Sequence, residues 1–172
     1  MRPQRASWPA YAAFAWTLLF ILFHVYWYSG GQIGIGDAPK SIPGPPSSVI
    51  GWIFDVVTKA MFFAGLVVPL ALVRPWGRDV PRWILRTLTW LGSGVLTVRG
   101  GAGDIDSLLR ITGVLPNGLT GLSYEQVLGE AHPSAYTLLS GAAIDTYFLM
   151  GGILFGLAAW TLGTKTRKGT MR

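Results

Sequence analysis

The chain has 172 residues, a net charge of +6, 51% hydrophobic residues and only 13% charged ones. A charged share about half that of an ordinary soluble domain argues against a soluble globular protein. The basic residues flank apolar stretches, so positive-inside topology explains them better than nucleic-acid binding does. Cysteine is absent, which removes disulfides, thiolate nucleophiles and Cys-ligated metals.

A bilayer core takes about 20 apolar residues as helix, and four stretches approach that length. The first spans 8–28. Arg2 and Arg5 before it resemble a signal-peptide start. The apolar run is too long for a signal core, however, and no small-x-small cleavage site follows, so a retained helix is expected. Next comes a Gly/Pro/Ser-rich segment with Pro39, Pro43, Pro45 and Pro46, expected to be extended. Ser47 and Ser48 lead into the second stretch, 49–73, in which Pro69 should kink the helix near its end.

The third stretch, 83–103, is the weakest. Arg86 lies inside it, and Gly100, Gly101 and Gly103 suggest that the apolar helix fades there, with continuation as helix to Asp106 left open. A long connection of about 100–134 follows, with an amphipathic piece (DIDSLLRITGVL). It also holds a short candidate helix in which Ser123 and Gln126 have capping-box spacing. The fourth stretch spans 135–162 and contains Gly152-x-x-x-Gly156, a pattern that permits close helix approach.

Ten of the fourteen Lys and Arg fall on one side of this scheme: Arg2, Arg5, Arg74, Arg78, Arg82, Arg86, Lys165, Arg167, Lys168 and Arg172. Both termini and the middle loop are therefore expected in the cytoplasm. The predicted fold is all-α: one integral-membrane four-helix bundle over 1–172, with its long outer loop between spans three and four.

Ionisable residues gather towards the outer ends of the spans. They are His24, the i, i+4 pair Asp55 and Lys59, Arg99, and Asp145. Such groups in a bilayer cost at least ~2.5–3.5 kcal/mol unless they face protein or water, which leaves two readings level: they neutralise one another and lock the bundle, or they line an outward-opening polar pocket. Trp27 and Tyr28 fit an interfacial belt, whereas Trp16 and Phe20 lie too deep for one. Zinc spacing, EF-hand, H-E-x-x-H, G-x-S-x-G, Walker A and dinucleotide fingerprints are all missing. No metal is predicted and no cofactor is indicated.

HVYWYSGG, LLRITG and AAIDTYFLMGG resemble a bacterial domain-of-unknown-function family of short four-span membrane proteins. The resemblance implies that His24, Tyr26, Trp27, Arg110, Asp145 and Tyr147 stand at the family's characteristic positions. It implies a multi-pass protein of the bacterial cell membrane and supplies no activity.

Two functions compete at this stage. One is a polar pocket for a small or lipid-like ligand, in a protein that is also a candidate accessory subunit of a membrane complex. The other is a membrane enzyme acting by acid–base chemistry on a lipid or isoprenoid-like substrate. His24, Asp55 and Asp145 are the candidate proton-transfer groups. Trp27, Lys59, Arg99, Arg110 and Tyr147 are the candidate ligand contacts. The expected partners are the bilayer, a lipid-like molecule and a second membrane protein; nucleic acid is not among them. Transport ranks third, because ionisable residues thin out on the cytoplasmic half.

Overall fold

The computed structural model describes residues 7–37 and 46–167, and only the backbone of 162–167. Every regular element among them is helical: α1 (Trp8–Tyr28), α2 (Val49–Ala71), a 3-10 turn (Pro75–Arg78), α3 (Arg82–Ile111), α4 (Tyr124–Leu128) and α5 (Ala135–Arg167). Three of them, α1, α2 and the Ala135–Thr161 part of α5, are long and apolar enough to cross a membrane. Lys40, Pro39, Pro43 and Pro45 of the first loop lie outside the described residues, as do Arg2, Arg5, Lys168 and Arg172.

The largest correction concerns α3. Its helix does not stop near residue 103 but continues to Ile111, taking in the segment expected to open the long loop. Gly100 and Gly103 are where α5 comes closest. A Cβ on Gly100 would strike the backbone of Asp145 and Leu149, and one on Gly103 would strike the Asp145 carboxylate. These glycines therefore bring two backbones together instead of breaking a helix. The opposite helix reciprocates: Gly152 faces Thr97, and Gly156 faces Ser93. Ser93 Oγ donates to the Gly152 carbonyl at 2.8 Å, so a polar side chain buried between the two helices is satisfied.

Gly92 stands against Phe155, Thr97 against Gly152, and Gly100 against Asp145. The α3 and α5 helices are thus antiparallel, and their contact is the most extensive in the molecule. On the other side of α5, α1 packs with Trp16 against Gly151. Next, α2 packs on α1, with Thr17 against Gly65 and Phe20 edge-on to Phe62. Contact between α2 and α3 is slight, and the first half of α2 leaves Val49, Ile50, Phe54 and Val56 exposed.

Helix ends follow their sequences. Ser48 caps α2 by accepting from Gly51 N. The capping box at Ser123 and Gln126 is formed, and Gly129 closes α4 in the left-handed conformation. Pro69 is fully buried in the last turn of α2, where the helix continues to Ala71.

Candidate functional site

The Trp16 indole anchors the site. It stacks on Phe20 and Tyr147 and meets Phe148 and Phe155 edge-on. Its Nε1–H donates to the Tyr147 carbonyl at 3.0 Å, while the Tyr147 hydroxyl donates back to the Trp16 carbonyl at 2.6 Å. Each side chain satisfies a polar atom on the opposing helix, which fixes the register of α1 on α5.

Towards the Tyr28 and Ala135 ends, α1 and α5 part. Small side chains on α5, Ser140 and Ala143, face Phe20, Phe23, His24 and Trp27 of α1, leaving a crevice of about 460 Å³. That lies within the range of small-molecule sites, roughly 300–1,000 Å³. The chain after α1 roofs it. Trp27 Nε1–H donates to the Ile33 carbonyl at 2.9 Å, and Gly34 N–H donates to the Tyr136 hydroxyl at 2.8 Å. Asp37 N–H donates to Thr137 Oγ1 at 3.1 Å, and Ser134 Oγ–H donates to the Asp37 carboxylate. A carboxylate suits this place, the electropositive first turn of α5. Gly34 and Gly36 take left-handed backbone, and a Cβ on Gly36 would press on Thr137.

His24 lies between the rings of Phe20, Trp27 and Phe62 at 4.2, 5.2 and 5.2 Å. Its Nδ1 is 2.9 Å from the Phe20 carbonyl. A carbonyl can only accept, so Nδ1 carries the proton, and in the neutral ring Nε2 holds a lone pair. Nε2 has no partner among the described residues. Ser140, only 7% exposed, also lines the crevice, and its hydroxyl makes no hydrogen bond among them.

The other predicted residues do not converge on His24. Asp55 and Lys59 pair with each other at 2.6 Å along α2, with the Lys59 side chain 72% exposed. Arg99 and Asp145 form an ion pair between α3 and α5, and the Arg99 guanidinium lies over the Phe148 ring at 5.3 Å. Asp104 accepts from Thr146 Oγ1 at 3.0 Å beside them. Arg99 follows Thr97, which faces Gly152, so it stands near the middle of α5's apolar stretch, deeper than its place in the sequence suggested.

Arg110 fastens a loop. Its side chain is 4% exposed, its Nε donates to Asp106 at 2.6 Å, and it lies over the Tyr124 ring. Asp106 also accepts from Leu119 N–H at 2.6 Å, tying residues 112–123 back to α3. Burial works against the Asp106 charge. The Arg110 and Leu119 hydrogen bonds and the guanidinium charge outweigh it, holding the carboxyl below the usual carboxylate range.

Of the predicted set, His24, Trp27 and Tyr147 share the crevice wall; Asp55, Lys59, Arg99, Arg110 and Asp145 do not. Ser140, Tyr136 and Phe148 line it without having been singled out in the sequence. The helical spacing of Tyr136, Ser140, Ala143 and Tyr147 would have placed them on one face. No group of three or more His, Asp or Glu among the described residues is placed to hold a metal.

A family model described as a protein of unknown function, DUF3995, matches residues 17–155. That range includes all three sequence motifs and every predicted site residue. No curated protein matches the chain, and no solved structure does.

Proposed function

The chain belongs to the DUF3995 family, and we propose that it is a multi-pass membrane protein that holds a small, lipid-like molecule between α1 and α5. One observation carries this role: among the described residues, His24 Nε2 and Ser140 Oγ have no hydrogen-bond partner inside an otherwise largely apolar, aromatic-walled crevice. Both atoms open onto the crevice, His24 from α1 and Ser140 from α5, so a molecule lodged between the two helices gains a hydrogen bond at each, worth about 0.5–1.5 kcal/mol apiece. For an acid–base enzyme the crevice offers His24 alone, because Asp55 and Asp145 stand outside its wall. Binding therefore leads.

The test uses a dodecyl probe carrying a photoreactive diazirine, with the full chain in phosphatidylcholine nanodiscs. Saturable labelling of the 20–27 and 136–148 peptides is expected, lost when Ala143→Phe fills the crevice. Labelling spread evenly over every apolar face, and unchanged by the variant, would overturn the role.

Four crossings are part of this proposal. The α3 helix is less apolar than the other long helices but lies along the Asp145–Gly156 stretch of α5, so it crosses wherever α5 does. Its polar load is directed at protein: Thr89 and Ser93 are buried, and Arg99 pairs with Asp145. Its exposed face, with Trp90, Leu91, Val95 and Val98, suits lipid. The basic residues then place both termini in the cytoplasm and the roofed end of the crevice outside, in a bacterial cell membrane.

The absence of native cysteine makes this simple to check. Asp79→Cys and Asn117→Cys, before and after α3, should react with an impermeant maleimide from opposite sides of the membrane. Reaction from the same side would rule out a crossing α3.

A further inference from the structure

We infer that the crevice selects a neutral apolar alcohol, reading its hydroxyl with His24 and Ser140; the inference rests on the crevice being a binding site. Hydrogen-bond bookkeeping leads to it. With its proton committed to the Phe20 carbonyl, His24 presents an acceptor at Nε2, so the occupant must donate. Ser140 Oγ has a proton to give and no carbonyl or carboxylate among the described residues to take it. A hydroxyl meets both demands with one oxygen, donating to Nε2 and accepting from Ser140.

Charge points the same way. The lining includes no Lys, Arg, Asp or Glu. Two cations on neighbouring helices are committed elsewhere, Lys59 to Asp55 and Arg99 to Asp145. A phosphate or carboxylate headgroup would be desolvated here without a counter-charge, and the carboxylate of the roof, Asp37, already accepts from Ser134. Of the other polar side chains in the lining, the Tyr147 hydroxyl donates to Trp16, Trp27 Nε1–H donates to Ile33, and the Tyr136 hydroxyl accepts from Gly34 N–H. The walls are aromatic rings and the Leu139 and Ile144 side chains. Leu139 is largely exposed on the outer surface of α5, so the apolar body of the alcohol has a lateral way in from the surrounding hydrocarbon.

The experiment compares three diazirine probes of one chain length in nanodiscs of the full protein: dodecanol, its methyl ether and dodecanoate. The ether keeps the oxygen acceptor and loses the donor. Expected is crevice labelling by the alcohol about fivefold above the ether, the worth of one hydrogen bond, and above the carboxylate. His24→Phe preserves an aromatic wall and should bring alcohol and ether to the same level; Ser140→Ala should narrow the gap. Equal labelling by alcohol and ether in the native protein, or stronger labelling by dodecanoate, would overturn the inference while leaving a binding crevice. Failure of all three to label the crevice saturably would overturn the binding role itself.

Discussion

Gly100→Ala is expected to loosen the α3–α5 pair by about 2–3 kcal/mol, the upper part of the usual overpacking range. The added methyl would meet the Asp145 carbonyl oxygen and the Leu149 amide nitrogen, both backbone atoms of α5. A flexible side chain could swing aside, but a helix backbone must move as a body. Moving it would strain the neighbouring Ser93–Gly152 hydrogen bond and the Arg99–Asp145 pair. Gly94→Ala on the same helix is the control. Nothing lies within 4 Å of its added methyl, so the variant should gain up to about 1 kcal/mol from helix propensity. Thermal unfolding of both variants in detergent decides the matter. Equal melting temperatures would mean that α3 and α5 do not approach this closely.

Trp16→Ala should be the most damaging single truncation in α1, at about 3–5 kcal/mol. The indole fills the space between α1 and α5, and its loss would leave Phe20, Tyr147, Phe148 and Phe155 facing a void. In a bilayer, helices are held by such packing more than by transfer from water. The substitution also removes the indole hydrogen bond to the Tyr147 carbonyl, which keeps its own place in the α5 backbone ladder. Trp16→Phe isolates that bond and should cost about 1 kcal/mol from it, plus a share of the lost ring contact. Trp160, largely exposed, supplies the comparison: Trp160→Ala should change melting little. A Trp16→Ala protein as stable as the Trp160→Ala protein would remove Trp16 from its place at the centre of the packing.

The two predictions address parts of the molecule that were unequally legible in the sequence. Trp16 stood out because an aromatic so deep in an apolar run does not belong to an interfacial belt, and it lies in the core. Gly100 and Gly103 gave the opposite impression. Glycine lowers helix propensity and commonly ends helices, so a cluster of them after Arg99 looked like a terminus. Their actual use, letting α5 approach, depends on a partner distant in sequence and invisible to any local pattern.

The predicted cluster of ionisable groups divides for a related reason. His24, Asp55, Arg99 and Asp145 were grouped because each sits in the same part of its own span. Position along a helix is readable from a sequence, whereas rotation about the helix axis relative to its neighbours is not. The structure turns His24 towards Phe62 and the α1–α5 crevice, and Asp145 towards Gly103 and Arg99 on α3. Asp55 stays with Lys59 on α2. Arg110, placed among ligand contacts by resemblance, is instead sealed against Asp106 and Tyr124 under a loop.

Composition and local order were enough to establish an all-helical chain with apolar helices long enough for a bilayer, the Ser123 capping box and the helix start at Ser48. These depend on neighbours within a turn or two, or on the cost of placing an unpaired backbone or a charge in hydrocarbon. Tertiary packing decided the length of α3, the pairing of Arg99 with Asp145, and the crevice that holds the free faces of His24 and Ser140. Each of those depends on how closely two helices approach and which faces they turn to one another. That is settled by side-chain volumes summed across both partners, a quantity that no single stretch of the chain contains.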